Sequence, residues 1–138
     1  MTARPASHLQ DTIREMVQEA VPGVISIYLF GSTVQGGEHD ASDLDLAVLA
    51  QSPLDNLDRW TLQEDLAAEI GRNVDLVDLR SASTVMRAQV LRSGSVLAER
   101  DRTARQQFEM QTCSAYALLN EERASILKDV QARGRVYG

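Results

Sequence analysis

Gly31-Ser32 is followed after ten residues by Asp43-Leu44-Asp45, a spacing of small, hydroxyl and acidic residues suited to handling phosphate. Asp43 and Asp45 are two residues apart. In an extended chain their carboxylates share one face, about 7 Å apart along the strand. Two like charges so placed repel unless a cation sits between them. Hard divalent cations such as Mg²⁺ take oxygen ligands of this kind and share them with substrate phosphates. The Gly-Ser corner complements the pair. Glycine lets the backbone approach closely, and successive N–H groups with a hydroxyl donate to anionic oxygens. The chemistry predicted is metal-assisted reaction at a nucleotide phosphate.

Such residues need rigid elements to hold them. Val24–Phe30 (VISIYLF) is β-branched and aromatic-rich, and Leu44–Leu49 is a second apolar run, so a strand is predicted on each side of the polar insert. The insert itself carries Gly36-Gly37 and the acidic Glu38-His39-Asp40, of which His39 reads as a solvated loop histidine. A third short run, Asn73–Leu79 (NVDLVDL), embeds two further acids. Asp75 and Asp78 have opposite parity, so only one of them can face a pocket. Asp75 sits mid-run, where a buried charge needs a reason, whereas Asp78 lies nearer the strand end, where exposure or capping is easy. Asp75 is therefore the preferred third carboxylate, available to complete a metal's coordination or to take a proton from an attacking hydroxyl.

Taken together, Gly31-Ser32-x10-Asp43-x-Asp45 and the later strand acid resemble the DNA polymerase β-like nucleotidyltransferase superfamily. The texture LFGST…SDLDLAVL…VDLVDL is similar to the minimal nucleotidyltransferases (MNT), antitoxin partners of HEPN-domain ribonucleases. These motifs cover residues 28–79. The resemblance implies an α/β (α+β) fold, with a small mixed sheet flanked by helices. It also implies two Mg²⁺ ions held by Asp43, Asp45 and Asp75, with Gly31 and Ser32 on the β- and γ-phosphates of ATP. The implied reaction is transfer of AMP to a tyrosine of a HEPN toxin, with the antitoxin and toxin forming a hetero-oligomer. Many relatives carry arginine soon after Gly-Ser, where this chain has Thr33 and Gln35, so its corner is less cationic. That departure motivates one alternative, an antitoxin that blocks its toxin sterically. A nucleotidyltransferase acting on a small molecule such as an antibiotic is a further alternative, disfavoured because no acceptor domain is expected.

Composition narrows the class further. The chain of 138 residues is expected to form a single domain, long enough to bury most of its apolar surface. A net charge of −6 argues against broad nucleic-acid binding, which depends on neutralising phosphates. Neither a signal pattern nor a membrane-length apolar stretch is present, and a cytoplasmic protein is expected. The single cysteine, Cys113, excludes an intramolecular disulfide and reads as a small core hydrophobe.

Along the chain, Leu9, Ile13, Met16, Val17 and Ala20 mark one face of an opening helix that Pro22-Gly23 ends. A second helix is predicted from about Leu54 to Ile70, with Leu57, Trp60, Leu62, Leu66 and Ile70 as its apolar positions and Gly71 as C-cap. Trp60 reads as a core or interface residue rather than an adenine platform. A helix capped near Ser81–Ser83 runs to about Leu91, and Ser95–Ala98 forms a short edge strand. From about 102 to 133 the spacing of Phe108, Tyr116, Leu119, Arg123, Ile126, Leu127 and Val130 predicts a long amphipathic helix. Its narrow stripe suits either the chain's own sheet or a partner. The basic tail Ala132–Gly138 is expected to be flexible. No segment remains for a domain that would present an acceptor, so the acceptor is expected on another molecule.

Overall fold

A computed structural model describes residues 5–31 and 43–137, with side chains for 8–31 and 43–132. The elements in chain order are α1 (Pro5–Ala20), β1 (Val24–Phe30), β2 (Leu44–Ala50), α2 (Asn56–Ile70), β3 (Val74–Asp78), α3 (Thr84–Ser93), β4 (Ser95–Glu99) and α4 (Arg102–Tyr137). The strands form one mixed sheet in the order β3-β2-β1-β4. β1 pairs antiparallel with both β2 and β4, while β2 and β3 are parallel. A parallel pair needs a crossover, and α2 supplies it. This is the small mixed sheet flanked by helices that the family resemblance implies, with the long C-terminal helix in place.

Helices cover both faces of the sheet, which explains why β2 reads as a nearly unbroken apolar run. On one face Leu44, Leu46 and Val48 pack with Ile13 and Val17 of α1 and with Leu62 and Leu66 of α2. On the other, Tyr28, Phe30, Ala47 and Leu49 pack with Val90 of α3 and Phe108 of α4. Asp45 shares the parity of Ala47 and Leu49, so it belongs to the α3–α4 face.

Local chemistry sets the boundaries. Asp55 caps α2 by accepting from the Leu57 N–H at 3.1 Å, and Gly71 ends it in a left-handed conformation, φ 80°. The helix starts at Asn56 rather than near Leu54, because the Leu54 N–H donates to Asp78 Oδ2 at 2.9 Å instead of entering the helix. Ser83 caps α3 through the Met86 N–H. Three expectations are corrected. Leu57 and Trp60, read as positions of the apolar face, are exposed, at 67% and 53%: α2 meets the core through Leu62, Leu66, Ala67 and Ile70, while Arg59 and Gln63 hydrogen-bond to the backbone of Leu76 in β3. Cys113 is exposed rather than in the core, since its neighbour Thr112 takes the inward position on α4. The basic tail, expected to be flexible, continues α4 as helix to Tyr137.

The root of α4 is fixed by packing and charge together. Phe108 is buried, with the guanidinium groups of Arg80 and Arg87 5.4 and 5.3 Å from its ring centroid. Tyr28 of β1 donates from its hydroxyl to Glu109 Oε2 at 2.9 Å, and Arg105 pairs with both Glu109 and Glu99 of β4. Burial pushes the Tyr28 hydroxyl well above its ordinary range, so it stays a donor to Glu109. Beyond Tyr116 the helix leaves the domain, and every described residue from Glu121 to Ala132 is exposed.

Candidate active site

Three adjacent strands bring the predicted chemistry to one edge of the sheet. Phe30, the last residue of β1, is the register partner of Asp45, and Asp45 is the partner of Asp75 across the parallel β2–β3 ladder. The Leu44 N–H donates to the Asn73 carbonyl at 2.8 Å, which locks the starts of these two strands together. Asp75 alternates with buried Val74 and Leu76, so it shares the α3–α4 face with Asp45. Asp43 lies just before β2 and is exposed.

Gly31 closes this row. Its φ of 75° is a left-handed conformation that a side chain resists, and a Cβ there would overlap Asp45 Oδ2 and lie 3.2 Å from Asp45 Cγ. The position therefore requires glycine for two reasons at once: the turn out of β1, and the passage of backbone directly over a carboxylate.

The acids perturb one another. Asp45 is half-buried, and its carboxyl is held above the ordinary carboxylate range first by desolvation, then by the charge of Asp75, then by that of Asp43. Both neighbours thus act on Asp45 electrostatically. Among the described residues no group of three His, Cys, Asp or Glu side chains is drawn into a closed ligand set. The two observations are compatible. Like charges lower their energy by pointing apart, so carboxylates that feel one another need not converge on a single point. Hard oxygen donors in register, one of them already unwilling to hold its charge alone, are the donor chemistry that a divalent cation satisfies.

Asp75 and Asp78 separate as their parity requires, but their burial is the reverse of the expectation. Asp75, expected as a buried charge, is exposed, and Asp78 is only 5% exposed. Asp78 accepts from the Leu54 N–H, the Arg80 N–H at 3.1 Å and the Ser81 hydroxyl at 2.8 Å. A buried carboxylate with three donors is fully used in tying β3 to its flanking turns. It stands at the far end of the strand from the Asp45–Asp75 row. Ser32, Thr33, Gln35, Gly36, Gly37, Glu38, His39 and Asp40 lie outside the described residues.

Sequence reasoning missed a second group at the same end of the molecule. α3 runs back toward the acid edge, and Gly94 just beyond it packs against the Leu29 carbonyl and Phe30 Cβ. There Arg92 lies over the Tyr116 ring, 5.3 Å from its centroid. Hydrogen bonding from Arg92, with further help from Asn120 and Arg123, holds the Tyr116 hydroxyl below its ordinary range. A concavity of about 330 Å³ opens beside the pair, lined by Val85, Gln89, Arg92, Ser93 and Tyr116. No local sequence signal marks this group, because it depends on where α3 and α4 meet. Another hollow, of about 260 Å³, lies at the opposite end of β1 and β2, around Pro22, Gly23 and Gln51, and is remote from the acids. Among the described residues no helix is long and apolar enough to cross a membrane.

A family model described as polymerase beta, nucleotidyltransferase matches residues 11–103, a span that holds Gly31 and all three acids and ends as α4 begins. The protein adenylyltransferase MntA of Shewanella oneidensis is 43% identical over 125 residues, covering 89% of this chain and 88% of that protein. A crystal structure of a toxin–antitoxin with AMP-PNP contains a chain that superposes with a TM-score of 0.79 at 43% identity, covering 88% of this chain and 98% of that one. A structure of a tri-AMPylated Shewanella oneidensis HEPN toxin in complex with MNT antitoxin gives a TM-score of 0.76 at 38% identity, covering 91% and 98%. With the acids in register and matches of this extent, the chain belongs to the polymerase beta nucleotidyltransferase family, among the protein adenylyltransferases of the MntA type.

Proposed function

We propose that this protein is an antitoxin that transfers AMP from ATP to a tyrosine of a cognate HEPN ribonuclease toxin and thereby neutralises it. The observation that carries the reading is the row of Gly31, just past the end of β1, Asp45 on β2 and Asp75 on β3, with the Asp45 carboxyl held above its ordinary range by burial and then by the charges of Asp75 and Asp43. The likeness to MntA and to chains from complexes with a HEPN toxin supports the choice of acceptor. The likeness to the AMP-PNP structure supports ATP as donor.

In this reading Asp43, Asp45 and Asp75 would hold two Mg²⁺ ions. When bound, the ions supply the positive charge that a triphosphate needs and stabilise the oxygens that attack and leave. The chain's own residues do the rest. Gly31 leaves room for backbone N–H groups at the phosphate corner, and the Ser32 hydroxyl donates to the β- and γ-phosphates. Asp75, exposed and on the face of Asp45, accepts the proton of the incoming tyrosine hydroxyl. The tyrosine oxygen bonds to the α-phosphorus as the bond to the bridging oxygen breaks, and pyrophosphate leaves with the electron pair. Positioning the tyrosine oxygen in line with that bond accounts for much of the rate.

The test is labelling of the purified toxin with ATP carrying a radioactive α-phosphate. Wild type should label a toxin tyrosine in the presence of Mg²⁺. Asp43→Asn and Asp45→Asn should each reduce labelling at least a hundredfold while keeping the fold, as judged by circular dichroism. Normal labelling by both variants would refute the mechanism. A steric antitoxin is the second reading, favoured by the half of α4 that stands clear of the domain. It predicts that Asp43→Asn still protects cells from the toxin.

A further inference from the structure

The stripe that anchors α4 does not stop where the domain stops. At 100° per residue, Phe108, Thr112, Tyr116 and Leu119 lie on one side of the helix. Phe108 is buried in the cluster beneath the sheet, Thr112 is buried, and Tyr116 and Leu119 are half-buried. Arg123, Ile126, Leu127 and Val130 continue the same line, with nothing over them: the three aliphatic side chains are 61%, 61% and 56% exposed. A helix needs no apolar side chains on a solvated face, so three at adjoining positions on the core-facing line call for a covering surface.

Topology says where that surface must be. β1 runs toward the acid edge and ends at Phe30, so the antiparallel β4 runs away from it and α4 begins at the far end of the sheet. The helix then travels back over the α3–α4 face, passing Tyr28 at Glu109 and reaching Arg92 at Tyr116. Residues 121–137 add about 25 Å of helix beyond that point, heading out past the edge that carries Asp45 and Asp75. The uncovered stripe thus leaves the domain from the face of the acids and in their direction.

We infer that the projecting half of α4 is the docking arm for the protein acceptor, which it holds with the modified tyrosine against the Asp45–Asp75 edge. This inference rests on the adenylyltransferase reading above and names the surface by which that reaction selects its substrate. A second copy of this chain is a poorer occupant. Three aliphatic side chains offer only a few hundred Å² of apolar surface, short of the roughly 800 Å² per partner of a stable interface. The occupant must bury more than the arm, and the nearest further surface is the acid edge with Arg92 and Tyr116. The toxin is the molecule that must come there. The arm carries charges of both signs, Glu121, Glu122 and Asp129 with Arg123, Lys128, Arg133 and Arg135, and such a mixture suits a specific protein surface better than a polyanion.

The experiment compares Ile126→Asp and Val130→Asp with Met110→Asp, a control on the opposite side of α4 that is 71% exposed. AMP transfer from labelled ATP to the purified cognate toxin is followed over a range of toxin concentrations, and ATP binding is measured by calorimetry. The two arm variants should raise the KM for toxin at least tenfold, with kcat at saturating toxin within twofold. Their Kd for ATP should be unchanged, and Met110→Asp should behave as wild type. A wild-type KM for toxin in both arm variants overturns the docking arm while leaving the adenylyltransferase reading intact. So does an arm variant that turns a wild-type homodimer into a fully active monomer, because the stripe is then a self-contact. Failure of wild type itself to label the toxin overturns the reading on which the inference rests.

Discussion

In the proposed reaction Asp45 sits where function and stability oppose each other. Its folded-state carboxyl is raised by desolvation and by Asp75 and Asp43, so the folded protein holds that proton to higher pH than the unfolded chain does. The group therefore costs stability once pH rises past the ordinary carboxylate range, and the cost grows until its raised value is passed. Asp45→Asn, measured without divalent cations at neutral pH, should raise Tm by roughly 1–3 °C while abolishing transfer. A lower Tm would mean that the carboxylate is stabilised by something other than its acidic neighbours. Gly31 should be the least tolerant position of the row. Gly31→Ala combines a left-handed backbone with overlap on Asp45 and is expected to cost about 1–3 kcal/mol in a urea titration, with loss of activity even where the fold survives. At this scale much was legible in the sequence. Parity separates Asp75 from Asp78 and the preferred acid is Asp75, which the β2–β3 register does set beside Asp45. Burial was not legible, because whether a strand-end acid meets solvent or three donors depends on turns such as Leu54 and Ser81 that arrive from elsewhere in the chain.

The elements stand or fall by how each is tied to the sheet. α4 depends on Arg105, whose guanidinium is mostly buried between Glu99 of β4 and Glu109 of its own helix. Arg105→Ala leaves two acids and the Tyr28 hydroxyl without their cation and should lower stability by about 1–3 kcal/mol at neutral pH. The pH dependence has a definite sign. Arg105 and Arg102 hold Glu99 below its ordinary range, so that contribution is complete above the usual glutamate pKa and is lost as pH falls through the depressed one. The difference in Tm between wild type and Arg105→Ala should therefore shrink on acidification, and a gap that widened in acid would contradict the network. The strands could be read from composition alone, because β1 and β2 are apolar on both faces and so stand out from the surrounding chain. α2 could not be read as well. Counting every apolar residue as inward places Leu57 and Trp60 with the core, yet at 100° per residue they lie well away from Leu62, Leu66 and Ile70, and Arg59 and Gln63 meet β3 through hydrogen bonds instead. Cys113 failed for a related reason, since which of two neighbouring positions on α4 turns inward is settled by the crossing of α4 over β1.

Across the whole molecule, the groups of the candidate site are gathered at one end of one face. The acids, Gly31, the Arg92–Tyr116 pair and the departing arm of α4 all lie there, while α1 and α2 only close the opposite face. Stability should be divided in the same way. In amide hydrogen exchange of the free chain, residues 104–116 of α4 should be protected and residues 121–132 should exchange rapidly, because the latter have no packing to hold the helix shut. Mg²⁺ with ATP should raise Tm by mass action through the acid row, and Asp43→Asn should remove that increment. Trp60, the one tryptophan in the chain, stands half in solvent on α2, with the sheet between it and the acids. The protein thus carries a fluorophore posted on its idle side. Its emission should report the unfolding of the α1–α2 layer cleanly, yet stay silent when nucleotide or toxin arrives, so a binding assay must bring its own dye.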